Sequence, residues 1–152
     1  MNQQGPQAEL LRRAAEALAR RDPSQALQLL DQADAFGRSH NATLNRALAL
    51  RLMGDFRGSL AVLDEALDME PYDFVALLAK AAMLEKLGGE RTAVETYRNA
   101  LKIVPPREHC PPALVAQTDH ADRIVRRQAE ALRDHMRAAV STARRASAAE
   151  WS

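Results

Sequence analysis

The sequence predicts an all-α fold, built from a repeated pair of helices and closed by one long C-terminal helix. Three observations predict it. Hydrophobic residues make up 47% of the 152 residues but aromatic residues only 4%, so Leu and Ala supply the apolar content, as is typical of helices. Small and apolar residues recur at a fixed offset between residues 40 and 107. Beyond residue 112 neither Gly nor Pro occurs.

Composition and charge narrow the class of protein. The chain carries 21 basic and 20 acidic residues, a net charge of +1, which argues against a strongly basic nucleic-acid or membrane-surface binder. Its one cysteine, Cys110, excludes an internal disulfide and fits a reducing compartment. Residues 1–10 lack the features of a signal peptide, and no apolar run approaches the roughly 20 residues that span a bilayer. We therefore expect a cytoplasmic protein whose N-terminal residues 1–6 are disordered.

Two copies of one unit, 40–73 and 74–107, align without a gap. Small residues fall on small ones, large apolar residues on large ones, and helix breakers on helix breakers. The small residues are expected where two helices approach closely, and the large ones between repeats. The aligned pairs are Ala47 with Ala81, Leu50 with Leu84, Gly54 with Gly88, Ser59 with Ala93, Leu63 with Tyr97, Ala66 with Ala100, Leu67 with Leu101 and Pro71 with Pro105.

Each copy is predicted to form two helices. In the first copy these run over about residues 41–53 and 56–69. Gly54 supplies a left-handed exit between them, Asp55 can cap the second helix, and Pro71 prevents its continuation.

The second copy follows the same plan. Asp73 caps a helix that reaches about Leu87, and the Gly88-Gly89 pair forms the turn. The next helix continues to about Val104 and stops before the Pro105-Pro106 pair.

A poorer copy of the unit precedes these two at 7–39. Asp22 and Pro23 provide a cap and a helix start, and Gly37 a C-terminal stop. The sequence therefore predicts three repeats, which is about the minimum for a stable repeat array.

Residues 108–152 are predicted to form a linker and a long amphipathic helix. The Pro111-Pro112 pair starts the helix, and apolar residues then recur every three to four positions as far as Ala143. The helix is either continuous, with a length of roughly 57 Å, or bent near residues 118–119. Its first half is expected to cover the exposed edge of the third repeat, while its second half extends beyond the array.

The repeated residues resemble the tetratricopeptide repeat, a helix–turn–helix unit. The aromatic residue expected early in each first helix is missing here, with Thr43 and Leu77 in its place, and Glu90 replaces the aromatic residue after the second turn. The resemblance implies a right-handed superhelix of about three repeats. It also implies a concave groove that binds a protein or peptide without a cofactor.

Carried onto this sequence, that groove is lined by the first helix of each repeat. Some members of the family bind the C-terminal carboxylate of a peptide with a set of Lys, Asn and Arg residues. Only Asn45 fits that set, because Val75 and Ala79 occupy positions of the basic residues, so we do not expect a carboxylate clamp. The apolar wall suits an apolar stripe or a docked helix, and the chain's own C-terminal helix or a neighbouring molecule is the alternative occupant. The groove residues are Arg12, Asn41, Leu44, Asn45, Leu48, Arg51, Val75, Leu78, Ala79 and Ala82.

The order of segments has a second, narrower resemblance. It looks like the N-terminal region of bacterial aspartyl/asparaginyl β-hydroxylase-like proteins. The segments that carry this resemblance are the repeats, the Pro105-Pro106 pair, a spacer, the Pro111-Pro112 pair and the helix around 121–127. There the repeats precede an Fe(II)/2-oxoglutarate-dependent oxygenase domain. The resemblance implies a docking or regulatory segment of such an enzyme, and the chain ends before a catalytic domain. The alternative is a free-standing adaptor or scaffold.

No residue pattern points to catalysis or to a metal site in this chain. His120 and Asp122 match the His-x-Asp pattern of an oxygenase iron-ligand pair. Side chains two residues apart on a helix point about 200° apart, however, so they cannot bind one metal ion together. We therefore interpret both residues as solvated. His109 and Cys110 are adjacent, and nothing orients them as a catalytic pair. We therefore predict a non-catalytic interaction module without metal or cofactor, which binds no nucleic acid or membrane and whose C-terminal helix offers a homodimer surface.

Overall fold

The structure, a computed structural model, describes residues 5–151. Within that range it contains seven α-helices and no β-strand, which confirms the predicted all-α fold. A short 3-10 turn, Arg107–His109, precedes the last helix. Residues 1–4 of the predicted disordered segment lie outside the described range. The helices are α1 Pro6–Ala19, α2 Pro23–Asp34, α3 His40–Leu52, α4 Phe56–Met69, α5 Phe74–Lys86, α6 Glu90–Leu101 and α7 Pro112–Glu150.

The first six helices form three antiparallel pairs that stack into a superhelix. Helix α1 packs on α2, α3 on α4 and α5 on α6, and each pair also contacts the next through α2 with α3 and α4 with α5. Helix α7 packs mainly on α6 and more weakly on α5. None of the helices in the described range combines the length and the apolar content needed to cross a membrane.

The turns inside the pairs use the residues that the sequence indicates. Gly54 and Gly88 have φ angles of +80° and +81°, the left-handed region that glycine adopts without strain. The side chain of Asp55 accepts a hydrogen bond from the Gly58 amide and caps α4. Asp73 caps α5 in the same way through the amide of Ala76.

The small residues lie buried where the helices of a pair cross. Ala81, Ala93 and Ala100 have no exposed surface, as the aligned repeats predict. Ser59, which replaces Ala93 in the preceding repeat, is also buried, and its hydroxyl donates to the Ala47 carbonyl at 2.8 Å. Close helix approach is therefore maintained in both repeats by different chemistry.

Two helix ends differ from the sequence prediction. Helix α6 ends at Leu101 instead of near Val104. The amides of Lys102 and Ile103 bond to carbonyls three residues back, which tightens the chain into a turn, and Pro105 disfavours a helical Val104. Helix α3 begins at His40, where Ser39 provides the cap.

Helix α7 is continuous over 39 residues, without a break near residues 118–119. Its first half covers the third repeat: Ala121 is fully buried against a cluster that includes Tyr97 and Ala100. Every residue from 131 to 151 is exposed. The second half of the helix therefore extends beyond the repeats, as the sequence predicts.

Candidate binding groove

A cavity of about 320 Å³ lies on the inner face between α3 and α5. The first helices of adjacent repeats lie side by side there, and residues three and four apart on each helix point to the same side. Seven of the ten predicted groove residues line it. These are Asn41, Leu44, Asn45, Leu48 and Arg51 from α3, with Val75 and Ala79 from α5.

The cavity combines an apolar wall with a small polar edge. Leu44, Leu48 and Val75 offer apolar contact beside the asparagines. The amide of Asn45 donates to the Asn41 side-chain oxygen at 3.3 Å, which leaves the Asn45 oxygen as an acceptor and the Asn41 amide as a donor. Since Ser39 caps α3, neither asparagine is needed to start the helix.

A second cavity, of about 480 Å³, continues the groove between α5 and α7. It holds the predicted residues Leu78 and Ala82, although Leu78 is only 1% exposed and belongs to the core. Gln117 of α7 lines both cavities. Helix α7 therefore forms the end wall of the groove and does not fill it.

Arg12 is the predicted groove residue that the structure does not bring to these cavities. It lies on α1 and forms ion pairs with Glu9 and Glu16 on the same helix. Its guanidinium is therefore occupied by its own helix instead of being held towards the groove between α3 and α5.

Three side chains join the last three helices at the end of the groove. Glu85 of α5 accepts a hydrogen bond from the Tyr97 hydroxyl at 2.6 Å and lies 2.9 Å from His120 Nε2. The rings of Tyr97 and His120 meet edge to face, with centroids 5.8 Å apart. His120, which the sequence analysis interprets as solvated, keeps 41% of its side chain exposed, and α7 also places its ring against α5 and α6.

This network shifts the pKa of two of its groups. Burial alone would raise the pKa of Glu85, but hydrogen bonds from Tyr97 and His120 outweigh it and lower the pKa below its usual value. Burial, together with the neighbouring Glu85 carboxylate, raises the pKa of the Tyr97 hydroxyl. The network therefore favours an ionised Glu85 and a neutral Tyr97.

A second polar cluster joins the starts of α3 and α5. His40 Nε2 lies 2.5 Å from a carboxylate oxygen of Asp73 and 3.3 Å from one of Glu70, and the three groups are close enough to surround a metal ion. A metal on Nε2 would leave the ring proton on Nδ1, which is buried without an acceptor. We therefore interpret this cluster as a hydrogen-bonded brace between two repeats.

Five residues that line the first cavity are not among the predicted groove residues. They are the buried Ala47, Ser59, Leu63 and Met83, together with Gln117. Met83 lies four residues after Ala79 on α5 and lines the same cavity, so the helical spacing that selects Val75 and Ala79 could have found it. Gln117 could not be found in this way, because its position depends on how α7 docks against the repeats.

Stacked antiparallel helix pairs with small residues at their crossings and a groove on the inner face are features of a tetratricopeptide-repeat fold. The chain is similar to a TPR repeat-containing protein of Rhizobium etli, with 32% identity over 87 residues. The match covers 57% of this chain and 42% of that protein, so the chain spans less than half of the curated relative. No protein-family model matches the chain.

Solved structures with the same fold include two proteins of low sequence identity. The TPR domain of Sgt2 from Aspergillus fumigatus superimposes with a TM-score of 0.66 at 18% identity, over 83% of each chain. PcrH, solved in complex with the chaperone binding region of PopB, gives a TM-score of 0.65 at 12% identity, over 82% of this chain and 99% of that one. Together these comparisons support the tetratricopeptide-repeat fold.

Proposed function

We propose that the chain is a non-catalytic protein-interaction module whose inner face binds a peptide segment of a partner protein. The observation that carries the proposal is the cavity between α3 and α5, around which seven of the ten groove residues gather. Such a surface on a rigid helical scaffold suits peptide recognition. PcrH, one of the structures with this fold, was solved with a segment of PopB bound.

The lining indicates the chemistry of the ligand. Leu44, Leu48 and Val75 accommodate apolar side chains, so an apolar stripe is the main requirement. Asn45 offers a donor and an acceptor, which an extended backbone can satisfy. Arg51, in the last turn of α3, takes a carboxylate or a carbonyl oxygen.

The test uses a peptide selected from a displayed random library against the wild-type chain. Its affinity is then measured for Asn45→Ala and for Val75→Glu. We expect both substitutions to weaken binding by at least about fivefold, because single groove contacts contribute about 1 kcal/mol or more. The melting temperature should stay within about 2 °C, since exposed substitutions cost under about 0.5 kcal/mol.

The matched control is Arg57→Ala on α4, an exposed residue outside both cavities. It should leave the affinity for the same peptide unchanged. If Asn45→Ala lowered stability while binding stayed intact, Asn45 would be part of the core and the ligand would bind elsewhere.

Two contexts are proposed for this module. One is the N-terminal docking or regulatory segment of an aspartyl/asparaginyl β-hydroxylase-like oxygenase, which the order of the segments around Pro105 and Pro111 supports. The other is a free-standing adaptor. Both place the chain in the cytoplasm. The coding sequence downstream of Ser152 distinguishes the two contexts. An oxygenase domain there would contain a His-x-Asp or His-x-Glu pair and a distant His.

A further inference from the structure

The second half of α7 is an amphipathic helix that no other helix of the described chain covers. Leu132 and Met136 are 59% and 58% exposed, and Val140, which borders the charged side of the helix, is 50% exposed. An isolated helix of this length is marginal in water, and most helices are stabilised by packing of an apolar face. We call residues 131–151 the overhang.

Most charges of the overhang lie on one side. At about 100° per residue, five of its six charged residues fall within a sector of about 120°, and Glu150, in the last turn, is the exception because it lies on the same side as Leu132. The apolar stripe lies away from the other five, within about 80° of the helix surface. These five charged residues are Arg133, Asp134, Arg137, Arg144 and Arg145, and the stripe consists of Leu132, Met136, Ala139, Ala143 and Ala146.

This stripe continues a face that already packs against a helix. Ala121 and Val125 lie on the same side of α7 as Leu132, and both pack into the core cluster that includes Tyr97 and Ala100 of α6. Helix α6 runs antiparallel to α7 and its first residue is Glu90. Beyond that level the face is exposed, although its apolar pattern continues.

We propose that a second copy of this chain covers the overhang, so that two overhangs pack antiparallel about a two-fold axis near Ala139. The stripe is complementary to itself in this arrangement. Its first half carries the large residues Leu132 and Met136, and its second half the small residues Ala143 and Ala146. The two-fold axis places each large residue of one copy against a small residue of the other, which gives the interdigitation that close packing requires.

Other occupants fit the stripe less well. A parallel pair would set large residues against each other and leave a gap along the alanines. A lipid surface is bound through large apolar side chains, whereas three of the five stripe residues are alanines. Small residues instead permit close approach of two helices, as Ala121 does against α6.

The first test is the mass of the full chain in solution, measured by light scattering over a concentration series up to roughly 100 µM. We expect a dimer for wild type. Met136→Glu buries a charge in the pair and should weaken dimerisation at least about tenfold. Ser141→Glu, on the opposite side of the same helix, is the matched control and should leave the dimer intact. Circular dichroism checks that the repeats stay folded.

The second test measures orientation by disulfide formation in a Cys110→Ser background. Ala139→Cys lies at the axis and should cross-link two copies on mild oxidation. Leu132→Cys should not, because the two positions are about 21 Å apart along an antiparallel pair. Mixed Leu132→Cys and Ala146→Cys chains should cross-link with each other.

Three outcomes overturn the proposal. The first is a monomer throughout the concentration series, including a monomer that sediments with lipid vesicles. The second is a dimer that Met136→Glu leaves unchanged. The third is cross-linking of Leu132→Cys with itself, which indicates a parallel pair. None of these outcomes bears on the groove between α3 and α5, because the overhang contributes no residue to it.

Discussion

At the scale of single residues, small side chains set how closely the helices of each pair approach. Ala81 and Ala100 are fully buried in the third repeat. In the second repeat Ser59 takes the place that Ala93 has in the third, and a buried hydroxyl is costly unless it is hydrogen-bonded. Its bond to the Ala47 carbonyl satisfies the hydroxyl and joins α4 to α3 at the crossing.

Ala100→Leu tests this close packing. The added side chain has no space at the crossing of α5 and α6, so we expect a loss of roughly 1–3 kcal/mol in the free energy of unfolding, measured by urea denaturation. Ala61→Leu, at an exposed position of α4, is the control and should be nearly neutral. Equal stability of the two variants would show that the crossing lies elsewhere.

Glu85 gives the third repeat a predictable dependence on pH. Its pKa in the folded chain lies below the usual 4.5, so the unfolded chain binds the proton more readily. The stabilisation is therefore fully present above pH 4.5 and is lost as pH falls through the lowered pKa. Melting temperatures recorded from neutral to acidic pH should fall more steeply for wild type than for Glu85→Gln.

The control for this pH series is Glu108→Gln, an exposed residue of the 3-10 turn. It should follow the wild-type profile. If Glu85→Gln gave the same acid profile as wild type, the hydrogen bonds from Tyr97 and His120 would not stabilise the charged form of Glu85.

At the scale of helices, capping explains where most of them begin. Asp22, Ser39, Asp55 and Asp73 each accept a hydrogen bond from a backbone amide in the first turn of the following helix. Helix α6 is different, because its cap residue, Gly89, has no side chain to do so. The N-terminal end of α6 is therefore less well capped than that of α4, its counterpart in the preceding repeat.

Gly89→Asp should supply the missing cap. The backbone of Gly89, at φ −85° and ψ 60°, is close to that of Asp55 at φ −84° and ψ 77°. We expect a gain of about 0.5–1 kcal/mol from the new hydrogen bond and from a less flexible unfolded chain. Asp55→Ala should lose about 1 kcal/mol. A destabilised Gly89→Asp variant would mean that nearby Glu85 or Glu90 repels the added carboxylate.

Much of the secondary structure could be predicted from the sequence because its causes are local. The span of α4, the glycine turns and the aspartate caps depend on residues within a few positions of each other. Contacts between repeats could not be predicted in the same way. His120 meets Glu85 and His40 meets Asp73 across more than 30 residues, and both contacts depend on the angle at which helices stack.

At the scale of the whole molecule, ion pairs join repeats that contact only their neighbours. Arg46 of α3 bridges Asp31 and Asp34 of α2. Lys80 of α5 pairs with Asp64 of α4 at 2.7 Å. These pairs lie beside the apolar contacts between adjacent repeats, so a slip of one repeat along the next would separate several charges at once.

The two halves of α7 should contribute very differently to the stability of this array. The first half buries Ala121 against α6 and covers the last repeat, as the end of a repeat array requires. The overhang buries no side chain in the monomer. Removal of residues 131–152 should therefore leave the melting temperature of a dilute sample within about 2 °C, whereas removal of residues 112–152 should lower it by more than about 10 °C.

The dependence of the melting temperature on protein concentration distinguishes the effect of dimerisation from any support that the overhang gives the repeats within one chain. Association stabilises the folded state by mass action, so the melting temperature of the full chain should rise with protein concentration. The chain that ends at Glu130 lacks the overhang, and its melting temperature should stay constant. If that shorter chain unfolded far below the dilute full chain, the overhang would support the repeats within the monomer. Its apolar stripe would then have to contact the repeats, whereas every residue from 131 to 151 is exposed.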